Sequence, residues 1–158
     1  MKNFIVMFIS AIAMAGCSTL DVFDGVNRIG QMSGLQRTDE EQITAVLDDV
    51  HVGMQSRQIY KVLSHVSRNY YDEQGRDYAA IQRYLDEIFK KYREIRITRV
   101  SPRVMVFGST ARAIETFGTV ADPQNPATEP PIHLQGQISV NFEKVDGVWK
   151  IVEWGEML

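Results

Sequence analysis

Apolar and polar positions along the chain fall into two regimes, an early one with helical spacing and a later one that alternates. After Thr38, the residues Ile43, Val46, Leu47, Val50 and Met54 recur at i, i+3, i+4, i+7 and i+11, which is the stripe of an amphipathic helix. Thr38 and Glu41 have capping-box spacing at its start, and Gly53 marks a weak end. A second, shorter helix is predicted over Ser56–Val66, with Ile59, Val62, Leu63 and Val66 on its stripe. Asn69-Tyr70-Tyr71-Asp72 leaves that helix, and Gln74-Gly75 turns. Asp77 caps a third helix whose stripe is Ile81, Tyr84, Leu85, Ile88, Phe89 and Tyr92.

After Arg93 the pattern alternates. Ile95, Ile97 and Arg99 interleave with Arg96, Thr98 and Val100. Pro102 has no N–H for a ladder and marks an edge or a bulge; Val104–Phe107 continue the strand beyond it. Gly108-Ser109 turns, and Ala111–Val120 return. Residues 122–131 hold four of the five prolines and are predicted as a loop. Ile132, Leu134, Ile138, Val140 and Phe142 then alternate with polar residues, the pattern of a strand with one wet face. Asp146-Gly147 is a hairpin signal, and Val148–Trp154 form the last strand. Helices first and strands afterwards is an α+β order. The expectation over residues 38–158 is three N-terminal helices packed on a curved four-stranded antiparallel sheet.

The first residues read as an address. Lys2 is the only charge before an apolar run from Phe4 to Ala15, broken by Ser10 and too short to span a bilayer comfortably. A basic start, a short apolar run and small residues at its end describe a secretory signal peptide. The run closes on Met14-Ala15-Gly16-Cys17, which resembles the lipobox of bacterial lipoproteins, with Met14 in place of the usual Leu. That resemblance implies cleavage after residue 16 and an acylated (diacylglycerol- and palmitate-type) Cys17 as membrane anchor. Ser18, rather than Asp, implies an outer-membrane lipoprotein facing the periplasm. Residues 17–37, with Gly25, Gly30 and Gly34, are then the lipidated cysteine and a tether.

Composition narrows the classes further. The 158 residues carry 17 Lys+Arg and 20 Asp+Glu, a formal charge of −3, with 44% hydrophobic residues and one Cys. Disorder throughout is excluded, as are an internal disulfide and a cysteine-rich zinc site. There is no overall pull toward nucleic acid. Locally, Arg83–Arg112 holds eight cations against three acids. This reads as a solvated face with i,i+4 pairs such as Glu87–Lys91, or alternatively as a patch for an acidic partner or phosphorylated lipid headgroups.

The order of elements, Asn69-Tyr70-Tyr71-Asp72 after the second helix, and Asp146-Gly147-Val148-Trp149-Lys150-Ile151-Val152 near the end together resemble the nuclear transport factor 2-like (SnoaL-like) superfamily over roughly Thr38–Leu158. The resemblance implies a cone opening between the helices and the concave sheet, and dimerisation through the sheet in many members. Some members are isomerases, dehydratases or cyclases, and many are binding or assembly modules, so fold alone selects no function.

Ketosteroid isomerase, an enzyme of this fold, uses a carboxylate base with Tyr and protonated Asp as oxyanion donors. Glu115 is the matching candidate base, in parity with Ala111, Ala113 and Phe117. Ile114 and Val120 on the opposite parity are the stronger candidates for the core, which would leave Glu115 in water. Tyr71 reads as a rim residue, or alternatively as an oxyanion donor within 6–7 Å of Glu115, about one reacting atom's room. Tyr84, Glu153 and Trp154 complete the candidate pocket. Glu153 lies with Trp149 and Ile151 and Trp154 with Val152, so inside and outside stay open there. His51 flanks the first helical stripe, His65 ends the second helix and His133 has polar parity; no pair has metal-site spacing. Neither a metal nor a cofactor is expected. The sequence favours a lipid-anchored periplasmic module that binds a small apolar ligand or an envelope protein, with a homodimer through the sheet as the expected assembly. The alternatives are an isomerase, dehydratase or cyclase with Glu115 as base, and a structural envelope subunit that acts by oligomerising.

Overall fold

The computed structural model describes residues 37–157; the expected signal peptide, Cys17 and the expected tether lie outside them. Three helices, α1 (Asp39–Gln55), α2 (Ile59–Leu63) and α3 (Tyr78–Lys91), precede five antiparallel strands. These are β1 (Tyr92–Arg99), β2 (Arg103–Phe107), β3 (Thr110–Pro123), β4 (Ile132–Val145) and β5 (Val148–Met157). The domain is α+β, with helices packed on one face of an antiparallel sheet ordered β1-β3-β4-β5, and β2 beside β3.

The helix starts follow their caps. Thr38 accepts from the Glu41 N–H while Glu41 accepts from the Thr38 N–H, a complete capping box. The Asp77 carboxylate accepts from the Ala80 N–H. The helix ends differ from expectation. α1 runs past Gly53 to Gln55 and closes with Arg57 in a left-handed conformation (φ 55°). The Gln58 N–H donates to Gly53 O at 2.8 Å and the Arg57 N–H to Met54 O at 3.1 Å, the two bonds of a Schellman motif. Gly53 instead marks a close approach: a Cβ there would stand 2.8 Å from Val62 Cγ2. The second helix is correspondingly short, five residues rather than eleven. From Ser64 the chain leaves it to run beside β5, with a parallel bridge between Val66 and Ile151.

The edge expected as one strand is two. β1 pairs with residues 117–123 of β3 and β2 with residues 110–114. Between them residues 100–102 stand opposite only residues 115 and 116. The extra residue, at a proline that cannot donate, is a bulge. It resets the parity, so Ile95, Ile97 and Arg99 face inward before it and Val104 and Val106 after it. The predicted loop is shorter than expected, because β3 continues to Pro123. The Asp146-Gly147 hairpin has positive φ at both residues, 51° and 79°, as a type I′ turn requires.

A second bulge lies in β5. Phe142 pairs with Ile151, but Val140 pairs with Trp154. One residue too many between Ile151 and Trp154 brings both indole rings and Ile151 to the inner face and turns Glu153 outward. The question the alternation left open is thereby decided.

The core joins Ile43, Leu47 and Val50 of α1, Val62 and Leu63 of α2, and Ile81 and Leu85 of α3 to the inner face of the sheet. The small Ala111 and Ala113 of β3 are buried in this core. Each large apolar side chain buried here contributes about 1.5–3 kcal/mol. The start of α1 is pinned from outside the core: the Asp39 carboxylate accepts from Lys144 Nζ at 2.6 Å and from Trp149 Nε1 at 3.0 Å.

Candidate functional site

Glu115 is buried, only 3% exposed. Its parity with Ala111 and Ala113 faces the helices, so the expectation that favoured a wet Glu115 is corrected. The alanines leave the room that the carboxylate needs. Glu115 sits opposite the edge bulge, where Arg99, the last residue of β1, turns its guanidinium inward. Arg99 Nη1 donates to Glu115 Oε1 at 3.1 Å, and Nη2 also contacts Asp48 on α1. One turn further along α1, His51 Nε2 lies 3.5 Å from Glu115 Oε2. Asp48, Arg99, Glu115 and His51 thus form a chain of contacts across the helix–sheet interface. His51 Nδ1 is buried without a hydrogen-bond partner among the described residues. Buried polar atoms are ordinarily satisfied, so this one marks a group kept for more than packing.

Glu115 and His51 lie in the wall of a pocket of about 260 Å³. Its other walls are mostly apolar: Val50, Met54, Ile81, Ile97, Phe117, Ile138 and Trp154, with Thr119, Tyr84 and Arg76 also in the lining. The Arg76 guanidinium lies 5.4 Å from the centroid of the Tyr84 ring. Behind Arg76 stands a second buried acid. Asp72 accepts from the Tyr70 hydroxyl (2.9 Å), from the Gln74 and Arg76 N–H groups and from Arg76 Nε (2.7 Å). Burial alone would raise the Asp72 pKa, but the donors outweigh it and hold it below the usual carboxylate range. Burial pushes the Tyr70 hydroxyl up, beyond the ordinary phenol range. The same hydroxyl accepts the Trp154 N–H at 3.2 Å, at the β5 bulge, and so ties the Asn69–Asp72 segment to the pocket wall.

Of the residues singled out in the sequence, Glu115, Tyr84 and Trp154 come together in this pocket. Tyr71 and Glu153 do not. Tyr71 is 66% exposed, because its neighbour Tyr70 takes the inward place; the pairing of Tyr71 with Glu115 in one cavity is therefore corrected. Glu153, turned out by the bulge, lines a hollow on the opposite side with Arg112 and Asn141 and accepts from Asn141 Nδ2. His51, Arg99 and Arg76 were missed. For His51 and Arg99 the signal was present: His51 is one turn from Asp48 at the margin of the α1 stripe, and Arg99 shares parity with Ile95 and Ile97.

Four of the eight cations in the basic segment have acid partners among the described residues. Arg99 turns inward, Lys90 pairs with Asp86, Lys91 with Glu129, and Arg96 with Glu94 and Asp122. A larger hollow, about 420 Å³, lies between α2 and the β4–β5 turn, but its lining carries no carboxylate or imidazole.

The chemistry open to the 260 Å³ pocket is proton transfer. An imidazole beside a fixed carboxylate takes up a proton as a counter-charged pair, and an apolar lining keeps water from competing. No group of three or more His, Cys, Asp and Glu side chains suited to a metal occurs among the described residues.

Comparison with known proteins places this geometry in a family. No curated protein matches the chain. Among solved structures, a nuclear transport factor 2-like superfamily protein from Salmonella enterica superposes with a TM-score of 0.62 at 16% identity, covering 73% of this chain and 87% of its own. A protein of Novosphingobium aromaticivorans provisionally named a scytalone dehydratase gives 0.64 at 14% identity, covering 84% and 85%. A type 2 hexachlorocyclohexane dehydrochlorinase gives 0.62 at 14% identity, covering 83% and 86%. At such identities the likeness is one of fold. A family model for the SnoaL-like domain matches residues 43–156, a stretch that runs from within α1 into β5 and includes every residue lining the pocket, and the chain belongs to that family.

Proposed function

We propose that the domain is an acid–base site that takes a small, largely apolar molecule into the 260 Å³ pocket and removes a proton from carbon, as in an isomerisation or an elimination. The observation that carries this reading is the His51–Glu115 pair, an imidazole 3.5 Å from a buried carboxylate in a mostly apolar pocket. Glu115 is engaged by Arg99, so its role is to orient His51 and stabilise the imidazolium, while the pair as a unit takes the proton. Dehydratase and dehydrochlorinase are names carried by proteins of the same fold, and both describe eliminations. The test is hydrogen–deuterium exchange at the α-carbon of a panel of cyclic ketones in D₂O, followed by NMR. The full chain is expected to accelerate exchange for at least one compound, and His51→Gln to lower that rate by about 10²-fold or more. Equal rates with and without His51, or no exchange across the panel, would overturn the reading.

The proposal extends to location. The Met14-Ala15-Gly16-Cys17 run supports a lipoprotein held at the bacterial envelope through Cys17. A Cys17→Ala variant is expected to move from the membrane to the soluble fraction, and the intact mass of the wild-type protein to show acylation. An unmodified thiol on the exported chain removes the anchor.

A further inference from the structure

The pocket lining carries a further charged group, Arg76, that proton transfer alone leaves unexplained. Arg76 is one-third exposed and lines the pocket with Tyr84, which is nearly half exposed. Glu115 is buried and His51 nearly so. The pocket lining therefore combines a buried polar pair, His51–Glu115, with a more exposed cation, Arg76, and the apolar side chains of Trp154, Phe117 and Ile138.

Arg76 is held in place rather than free. Its Nε donates to Asp72 and its Nη2 to Gln74 Oε1 at 2.6 Å. Asp72 is itself fixed by the Tyr70 hydroxyl and two backbone N–H groups. Neither Arg76 bond uses Nη1, which has no hydrogen-bond partner among the described residues. A guanidinium presents five N–H donors in a rigid fork. With one edge locked onto Asp72, the remaining donors are fixed in the lining of a mostly apolar pocket. A purely apolar ligand would leave them unmatched and would partly desolvate them on binding, at a cost in affinity. An anionic oxygen would satisfy them with a charge-assisted bond.

We infer that Arg76 recognises a carboxylate on the ligand, so that the pocket takes a small aromatic or alicyclic acid, its ring against Trp154 and Phe117 and its reacting carbon toward His51. The inference rests on this pocket being the substrate site. Arg76 acts here as a specificity residue, and Tyr70 and Asp72 as the residues that position it.

The test compares benzoate with its neutral isostere benzamide by isothermal titration calorimetry on the full chain at neutral pH. The wild-type protein is expected to bind benzoate about tenfold or more tightly than benzamide. In Arg76→Gln the ratio is expected to fall close to one. Arg76→Lys, which keeps a charge but loses the fork, retains only part of the preference, and it stands in should Arg76→Gln fail to fold by circular dichroism. Equal binding of the two probes by the wild-type protein overturns the inference, as does a preference unchanged in the Arg76 variants or an absence of binding by both probes. Running both assays, α-carbon exchange and the benzoate–benzamide comparison, on the wild-type protein separates the two readings. Exchange without carboxylate preference sinks only the role of Arg76; carboxylate preference without exchange sinks only the proton transfer.

Discussion

His51 on the first helix faces Glu115 on the third strand at 3.5 Å, beside a core of apolar side chains from the helices and the sheet. The pair exists because Arg99 compensates the buried carboxylate from the end of β1. Burying a carboxylate alone would be costly, and removing one member of a buried charge pair destabilises by about 3–5 kcal/mol. Arg99 keeps its contact with Asp48 when Glu115 is neutralised. Glu115→Gln is therefore expected to cost less, about 1–3 kcal/mol. Asp48→Asn, on an exposed carboxylate, should cost at most about 1 kcal/mol. Urea denaturation of both variants checks the order; a larger loss for Asp48→Asn would contradict it.

Gly53→Ala sets two effects against each other. Alanine gains about 1 kcal/mol of helix propensity over glycine. Its Cβ, however, would meet Val62 Cγ2 at 2.8 Å and the Val62 backbone N at 3.2 Å. Overpacking of this kind costs about 1–3 kcal/mol, and a β-branched side chain and a backbone atom yield little. The expected net result is a lower melting temperature. A rise would mean that α1 and α2 are less closely packed than described.

Tyr70→Phe removes a donor from buried Asp72 and an acceptor from the Trp154 N–H. The expected loss is about 1–3 kcal/mol for each group left unsatisfied, read by chemical denaturation. The wild-type hydroxyl also has a pH signature. Its folded-state pKa lies above the ordinary value of 10.0, first because it is buried. Stability from this group is therefore intact below pH 10 and falls as pH rises beyond it, since only the unfolded state readily releases the proton. Denaturation midpoints in alkaline buffer should fall more steeply for the wild type than for Tyr70→Phe.

Acid has the opposite sign. Hydrogen bonds from Lys144 and then Trp149 hold the Asp39 carboxyl below its ordinary pKa of 3.8, and the donors around Asp72 do the same for that group. A folded-state pKa lowered in this way gives stability that is present above the unfolded value of 3.8 and lost as pH falls below it. Denaturation midpoints followed from neutral pH into acid should drop below about pH 4, and the drop should be shallower in Asp72→Asn. An unchanged acid limb would show that Asp72 is not ionised in the fold.

Much of the fold was legible because periodicity reports local geometry. The capping box at Thr38, the Asp77 cap and the Asp146-Gly147 turn depend on residues within a few positions of one another, and the helix-then-strand order set the class. The site was half legible. Glu115, Tyr84 and Trp154 were identifiable as candidates, whereas His51 looked like a margin of a stripe and Tyr71 looked better placed than Tyr70. Neighbouring tyrosines on one segment cannot be told apart until the partner for the hydroxyl is known. That partner is an amide released by a bulge more than eighty residues away.

The sequence by itself determined where helices begin, where the chain alternates and that helices must cover a sheet, since each of these follows from spacing along the backbone. Only the tertiary structure decided which face of β3 and β5 is inside, because one inserted residue reverses every later side chain and its presence shows only in the pairing of strands. The meeting of Asp48, Arg99, Glu115 and His51 was settled the same way, because charges distant along the chain meet only where packing brings their elements together.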